Sequence, residues 1–485
     1  PNTMMANMGA QMAAANASDL VSRSIEEAAS VLDVVGFNYA DSRYRQDAID
    51  HPHRVIVGSE TFPDRIAELW RLVTELPHVI GDFTWTGWDY LGEAGIGRVD
   101  YTDADGYVAT GTAGPYPYVL ADCGDIDITG HRLPASYYRE IAFGLRRAPY
   151  IAVHRPQHHG RPTAKTPWSW DDVVASWSWG VPSGSPVTVD VYADADEVEL
   201  LLEGRSLGVA PVGKVRDLVA RFEIAYRPGE LLAVARKDGV VIGSHALASA
   251  AGDASLRAAA ESGILPGPLS FVDIAVSDAA GVVPCDRDVL VSVEVDGPGE
   301  IAGLGTGRAR TEESFAGPSC TTFDGRALAV IRRTGDGPLT VRVSADGHAP
   351  VEVSLACTRR HVPAGMRTRS PAGARTTRST RSRFATRRSP PLTSVLSSTV
   401  IAHTRPSGVC PVVTSRSCSA ERRAIASAAG RAVPSLPNTP RGPHSSKKDR
   451  VTTPGTLNAA AEAIVQAASS GASWRGSAAS SRAGP

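Results

Sequence analysis

The chain has 485 residues, which is room for about three domains of ordinary size. Hydrophobic residues make up 42% and charged residues 21%, as in globular proteins, and no apolar run approaches the ~20 residues of a membrane helix. The net charge of −1 hides an asymmetry, because the residues from Thr358 onward contain 21 Lys and Arg against three acids. We therefore expect an acidic globular part with no membrane partner, followed by a strongly basic C-terminal segment.

Residues 1–150 show helical patterns that alternate with short apolar runs. A capping box at 24–27 predicts the start of a helix, and the spacing of apolar residues predicts another helix over 66–73. The apolar runs at 32–37, 54–58 and 78–83 are typical of buried strands. Strands alternating with helices predict parallel β/α units.

Residues 150–165 form a polar, Pro-containing stretch with three histidines, His154, His158 and His159. A metal site is an alternative, but its ligands need a fixed geometry that such a stretch rarely supplies. We interpret the stretch as a linker and predict no metal site. The spacing of the six cysteines indicates no zinc site either, and leaves Cys285 and Cys320 either bonded or, as we prefer, as free thiols.

Residues 165–250 and 255–357 change to alternating apolar and polar positions, separated by Gly, Pro and Asp turns. Each region is predicted to be a small antiparallel β-sandwich of the immunoglobulin-like kind. Four tryptophans at the start of the first sandwich could form a stacking platform for a ligand, although this spacing more often buries alternate rings in a core: Trp168, Trp170, Trp177 and Trp179.

Residues 358–485 lose all apolar periodicity and are dominated by Arg, Ser, Thr, Pro and Ala. This composition predicts disorder. A basic tail can bind an anionic polymer, but the abrupt change after a well-formed strand favours a shifted reading frame. We therefore expect no nucleic-acid partner.

Polar and aromatic side chains close each of the three apolar runs in the first region. Asn38 and Tyr39 follow the first run, Glu60 follows the second, and Trp85 and Trp88 follow the third. The carboxyl ends of parallel barrel strands form one active face. Burying a carboxylate there is costly unless it has a charged or hydrogen-bonding partner or a functional role. Since indole faces suit a sugar ring and carboxylates suit its hydroxyls, this set predicts a carbohydrate site.

The segments 33–39, 54–61 and 81–93 resemble the sixth, seventh and eighth strands of the catalytic (β/α)₈ TIM barrel of glycoside hydrolase family 2. The resemblance implies that Glu60 is the catalytic nucleophile, that Tyr39 hydrogen-bonds it, and that Trp85 lines the sugar subsite. It implies, more loosely, that Asn38, Trp88 and Asp89 also help to bind substrate.

The two sandwiches resemble the domains that follow the barrel in bacterial β-galactosidases of this family, on the segments 198–208 and 269–330. The chain is thus expected to be multidomain: a partial TIM barrel over 1–150, sandwiches over 165–250 and 255–357, and a disordered basic tail. The implied activity is retaining hydrolysis of terminal β-D-galactosides through a glycosyl-enzyme. β-Glucuronidase and β-mannosidase are the alternatives within the family. No cofactor is implied, and the complete enzyme could be a homo-oligomer.

The family's acid/base glutamate follows its fourth strand, which would lie upstream of Pro1. Asp82, Asp89 and Glu93 are the other carboxylates near the predicted face; none matches the acid/base motif, and we expect structural roles for them. The chain alone is therefore expected to lack activity. The absence of a visible leader favours a cytoplasmic protein but leaves an upstream secretion signal open. A non-catalytic carbohydrate-binding or adhesion protein built from the sandwiches is the alternative of a different class.

Overall fold

The computed structural model describes residues 13–261 and 267–355 of the chain. The tail predicted to be disordered lies outside the described residues. The first part is a unit of helices around a small parallel sheet. Its elements are α1 (Asp19–Ala29), β1 (Val35–Asn38), α2 (Tyr44–Asp50), β2 (Ile56–Thr61), α3 (Ile66–Glu75), β3 (Val79–Thr84), β4 (Val99–Tyr101) and α4 (Pro134–Ala142), with 3-10 turns at Asp41–Arg43 and Pro63–Arg65.

The three strands lie in the order β1-β2-β3, and both pairs are parallel. One face of the sheet buries Phe37, Ile56 and Val79 against the helices. On the opposite face Val34 and Ile80 are 39% and 51% exposed. The predicted strands and their parallel arrangement are thus confirmed, and apolar side chains stand on a face that the described residues leave open.

Helix α1 begins earlier than the capping box at Ser24 predicts. Ser18 is its N-cap, and the Ser18 hydroxyl accepts from the backbone N–H of Val21. The Ser24 hydroxyl instead donates to the carbonyl of Val21 at 2.8 Å, inside the helix. The prediction was wrong because a serine within a helix can satisfy itself on the preceding turn.

The next part is a sandwich of two four-stranded sheets, ordered β11-β8-β5-β7 and β10-β9-β12-β13. Its strands are β5 (Tyr150–His154), β7 (Val173–Val174), β8 (Pro186–Tyr192), β9 (Glu197–Leu202), β10 (Arg205–Pro211), β11 (Val219–Ala225), β12 (Glu230–Lys237) and β13 (Val240–Ala248). Trp177 and Trp179 are buried in its core, as alternating rings often are.

The prediction of a linker over 150–165 was wrong, because this range contains two strands and a 3-10 turn. β5 belongs to the sandwich, a 3-10 turn covers Pro156–His158, and β6 (Thr163–Lys165) pairs antiparallel with β4. The strand was missed because four apolar residues beside a polar stretch carry no periodicity that distinguishes them from a connection.

The last part is a second sandwich with sheets ordered β14-β15-β19-β17 and β18-β16-β20-β21. Its strands are β14 (Ser255–Ala260), β15 (Leu269–Ser277), β16 (Leu290–Asp296), β17 (Gly299–Gly305), β18 (Ser319–Thr321), β19 (Arg326–Arg333), β20 (Thr340–Ala345) and β21 (Val351–Ser354). Cys285 and Cys320 are buried free thiols in different cores, the first in that of the preceding sandwich.

Apolar clusters and one charged network join the three parts. Ile66 and Trp70 on α3 pack with Tyr150 of the first sandwich, in a cluster that also includes α4. Arg155 donates to both carboxylate oxygens of Asp324 in the second sandwich, at 2.7 and 2.9 Å. No helix of the described residues has the length and apolar character needed to cross a lipid bilayer.

Gly58 allows β2 to lie directly against the buried phenol of Tyr44. A Cβ at Gly58 would lie 2.4 Å from the Tyr44 hydroxyl oxygen, whereas a Cβ at Gly81 would meet only Val57, at 3.6 Å. We expect Gly58→Ala to lower the free energy of unfolding by about 1–3 kcal/mol through this clash. Gly81→Ala is the matched control, and Tyr44→Phe should restore part of the loss in Gly58→Ala. Chemical denaturation measures the free energy of unfolding of each variant. Equal losses for Gly58→Ala and Gly81→Ala would contradict the packing argument.

His245 on β13 is held neutral between the two sheets of the first sandwich, against Ile151 of β5. Its Nδ1 accepts from the backbone N–H of Ile151 at 3.0 Å, and burial, with the nearby Arg146 charge, lowers its pKa to about 4. The pKa of a histidine in the unfolded chain is about 6.5. Between pH ~6.5 and 4, the unfolded chain therefore binds a proton at His245 more readily than the folded protein does. Stability from this group is therefore complete above pH ~6.5 and is lost as the pH falls toward 4.

We expect His245→Asn, which retains an acceptor without a titrating group, to lose less stability than the wild type between pH 7.5 and pH 5. The midpoint of chemical unfolding at each pH measures the difference. An identical loss in both proteins would show that His245 does not contribute to the acid sensitivity.

Candidate functional site

The parallel sheet brings the ends of its three strands to one edge. The backbone N–H of Tyr39 donates to the carbonyl of Glu60 at 2.8 Å, and that of Trp85 donates to the carbonyl of Thr61 at 2.9 Å. Asn38 lies directly opposite Glu60 in the register of β1 and β2. Four of the six predicted site residues therefore cluster at this edge: Asn38, Tyr39, Glu60 and Trp85.

The carboxylate of Glu60 is held by the amide of its neighbour. Asn38 donates through Nδ2 to Glu60 Oε2 at 3.0 Å, and its Oδ1 accepts from the hydroxyl of Ser59 at 2.8 Å. The serine therefore fixes which end of the amide faces Glu60. The Glu60 side chain is half-buried, so it has both a fixed partner and access to the surface.

Tyr39 follows β1 in the left-handed region, with φ of 51°. Burial raises the pKa of its phenol, and the Glu60 carboxylate beside it raises the pKa further, as hydrogen-bond acceptor and as negative charge. Phe62 stacks on the Tyr39 ring at 4.2 Å between centroids. The phenol thus stays protonated and available as a donor beside Glu60.

Trp85 is oriented by its own loop, which follows β3. The indole Nε1 donates to the hydroxyl of Tyr90 at 3.0 Å, and that hydroxyl donates to the carboxylate of Glu93. The Trp85–Thr86 peptide bond is cis. Tyr90 was not identified from the sequence, although its position five residues after Trp85 in an aromatic loop was a usable signal.

Asp89 and Trp88, the other two predicted site residues, lie apart from this cluster. Asp89 is 3% exposed, and its carboxylate accepts from the backbone N–H of Cys123. Burial, with the charge of Asp122, raises the Asp89 pKa well above its usual range. Trp88 forms a parallel bridge with Ile126. Among the described residues, neither side chain forms a hydrogen bond, ion pair or ring contact with Glu60, and the contacts of Asp89 and Trp88 with residues 123 and 126 indicate support of the loop.

Asp82 on β3 is also withdrawn from the edge. Its side chain is 2% exposed and lies 4.0 Å from the guanidinium of Arg139. Burial raises its pKa to about 6, against the opposing influence of Arg139. Asp89 and Glu93 thus accept hydrogen bonds within the structure, whereas in the described part of the chain both oxygens of Asp82 are buried without a hydrogen-bond partner and face Arg139 at 4.0 Å.

Trp168 and Phe62 complete the surroundings of Tyr39 and were not identified as site residues. Trp168 donates through Nε1 to the Tyr39 hydroxyl at 2.7 Å and contacts the Phe62 ring edge-on at 5.3 Å. Trp168 lies 129 positions after Tyr39 in the chain, so no local spacing could connect them. Phe62 could have been found from its place two residues after Glu60.

Metal ligation has no support within 13–261 and 267–355, where no three His, Cys, Asp or Glu side chains are grouped to hold an ion. His154 pairs with Asp190 at 2.9 Å, and His158 packs on the ring of Tyr101 at 4.4 Å. The histidines considered as a metal cluster therefore point to different partners.

Comparisons with known proteins agree on one family. Residues 267–354 match the profile described as glycoside hydrolase family 2 C-terminal domain 5, and residues 184–243 match a domain of unknown function. The β-galactosidase BoGH2A of Bacteroides ovatus is 24% identical over 61% of this chain and 30% of its own length. A protein of Formosa agariphila provisionally named β-glucuronidase is 28% identical over 39% of this chain and 15% of its own.

A solved structure, a glycosyl hydrolase family 2 member from Bacteroides cellulosilyticus, is 30% identical and has a TM-score of 0.58. The similarity covers 67% of this chain and 42% of that one, so the chain spans less than half the length of these relatives. The matched sandwich, the relatives by sequence and the similar solved structure all lead to the same assignment: the chain belongs to glycoside hydrolase family 2.

Proposed function

We propose that this chain carries the nucleophile half of a retaining glycosidase site, with Glu60 as the nucleophile. The observation that carries the proposal is the pairing of a half-buried carboxylate with Asn38 and Tyr39 at the carboxyl edge of a parallel sheet. The hydrogen bond that Asn38 donates favours the ionised carboxylate of Glu60. Such a group can attack the anomeric carbon and form a glycosyl-enzyme.

The sheet that presents Glu60 is proposed to be part of a (β/α)₈ barrel. Its strands are parallel, its helices cover one face, and the opposite face carries exposed Val34 and Ile80. In a complete barrel this inner face is filled by side chains of the other strands. The placement of the polar residues at the carboxyl ends agrees with this architecture.

Neutral galactosides are the proposed substrates. BoGH2A, named a β-galactosidase, is among the relatives. Recognition of a uronic acid favours a cation for its carboxylate, and in the described part of the chain none of the hydrogen bonds, ion pairs or ring contacts of Asn38, Tyr39, Glu60 and Trp85 involves Lys or Arg. This observation supports galactosides over β-glucuronides as the proposed substrates.

A binding or adhesion module without catalysis is less well supported. Its platform would need the exposed indoles of the first sandwich, yet Trp177 is fully buried and Trp179 is 6% exposed. Trp168 faces the phenol of Tyr39 at the sheet edge. The aromatic groups therefore favour the site around Glu60.

The nucleophile can be tested without a general acid. Asp82 and Asp89 are buried, and Glu93 accepts from the hydroxyl of Tyr90. The substrate should therefore carry a leaving group that departs without a proton. We expect a dinitrophenyl 2-deoxy-2-fluoro-β-galactoside to form a covalent adduct with the 485-residue chain, as the Glu60 carboxylate displaces dinitrophenolate from the anomeric carbon. Intact mass measures the adduct, and peptide mapping should locate it on Glu60.

Glu60→Gln should abolish the adduct because the amide is not a nucleophile. The matched control is Glu75→Gln on α3, whose carboxylate is an exposed partner of Arg45 and whose loss should leave labelling unchanged. The corresponding fluoro-glucuronide should label more slowly than the galactoside. Labelling that persists in Glu60→Gln would overturn the assignment, and faster labelling by the glucuronide would overturn the sugar preference.

The hydroxyl of Tyr90 is expected to set the orientation of Trp85. Tyr90→Phe retains the ring but removes the acceptor of the indole N–H. At about 1–1.5 kcal/mol for this hydrogen bond, the rate of adduct formation should fall about tenfold. Tyr116→Phe is the control, since Tyr116 is 75% exposed. An unchanged rate in Tyr90→Phe would show that the loop holds Trp85 by packing alone.

A further inference from the structure

The phenol of Tyr39 is contacted by a side chain from outside the parallel sheet and its helices. Trp168 donates its indole N–H to the phenol oxygen at 2.7 Å. The two rings stand edge to face, 5.8 Å apart and at 89°. Phe62 stacks on Tyr39 and contacts Trp168 edge-on, so the three rings form one closed cluster.

Trp168 is itself fixed by the segment that carries it. The preceding strand β6 pairs with β4, with Lys165 opposite Val99. Before Trp168, the hydroxyl of Thr166 donates to the carbonyl of Ile96, and after it the hydroxyl of Ser169 donates to the carbonyl of Arg98 at 2.6 Å. Hydrogen bonds on both sides thus hold the indole against the sheet edge.

The hydrogen-bonding capacity of the two groups determines the direction of the phenol proton. An indole N–H is a donor only, and a phenol has one proton and an accepting oxygen. Because Trp168 donates to that oxygen, the Tyr39 proton cannot be shared with Trp168. Tyr39 and Glu60 are neighbours at the strand ends, because the backbone N–H of Tyr39 donates to the backbone carbonyl of Glu60 at 2.8 Å. The Glu60 carboxylate accepts but does not donate when ionised, and its charge contributes to the raised pKa of the Tyr39 phenol.

We propose that Trp168 is a positioning residue that directs the hydroxyl proton of Tyr39 onto the carboxylate of Glu60. It acts through Tyr39 and does not touch the reacting atoms. The meaning of this role for catalysis rests on the proposed function of Glu60. A carboxylate that receives a fixed hydrogen bond is held in one orientation, which favours attack on the anomeric carbon.

The test follows the hydroxyl of Tyr39 directly. The chain contains 12 tyrosines, and in protein labelled with 3-fluorotyrosine the ¹⁹F signal of residue 39 is the one lost in Tyr39→Phe. We expect Trp168→Phe, which keeps an aromatic ring but removes the donor, to move this signal by more than its line width. An unmoved signal would overturn the proposal.

Trp170→Phe is the matched control for this measurement. Trp170 lies two residues further on and donates in the same way, through Nε1, to the hydroxyl of Tyr192 at 3.1 Å. Its substitution should move the ¹⁹F signal of Tyr192 and leave that of Tyr39 in place. Movement of the Tyr39 signal by the same amount in both variants would show a general disturbance of the segment and would also overturn the proposal.

A second variant decides the case if Trp168→Phe does not fold. Tyr39→Phe removes the phenol oxygen and retains the ring, so the indole ¹H–¹⁵N signal of Trp168 should shift upfield and exchange faster with water. An indole signal unaffected by Tyr39→Phe would contradict the hydrogen bond. Neither measurement requires sugar binding or turnover, so the result stands whether or not Glu60 is labelled by the fluoro-galactoside.

Discussion

The pairing of two parallel strand ends determines where Asn38, Tyr39 and Glu60 lie. Phe37 pairs with Gly58, but the register then shifts and Asn38 pairs with Glu60. The shift skips Ser59, whose hydroxyl still reaches the Asn38 amide from the side. Without this register shift, Asn38 would pair with Ser59 instead of Glu60. A slip of one residue turns a side chain to the opposite face of a sheet. The contact between amide and carboxylate therefore depends on a backbone irregularity of one residue.

The sequence indicated the parts of this arrangement that are local. Apolar runs predicted β2 and β3 to within three residues, and the polar residues that close them were found because they stand at the ends of those runs. The helix start at Ser18 was missed, since two serines six residues apart offer equally good caps and only packing distinguishes them. Local pattern thus located the elements and the cluster, while their exact starts depended on tertiary contacts.

Contacts over long distances in the chain were beyond the reach of such patterns. Trp168 stood in a Trp-rich stretch whose members have different roles: Trp177 fills a sandwich core, Trp170 donates to Tyr192, and Trp168 donates to Tyr39. The residue type and spacing are alike in all three. Which indole reaches the site is decided by the pairing of β6 with β4, and a strand of three residues leaves almost no periodic signal.

The carboxylates near Glu60 show why burial must be known before a role is assigned. Asp82, Asp89 and Glu60 all lie within or just after apolar runs, and nothing in their local sequence separates them. Asp82 faces Arg139, and Asp89 accepts from the backbone of Cys123. A buried carboxylate with a structural partner is costly to free, because its removal leaves that partner unsatisfied. Glu60 differs in being half-buried and in accepting from the amide of Asn38, which favours its charge. Its oxygens are therefore accessible for the proposed attack without loss of a buried structural contact.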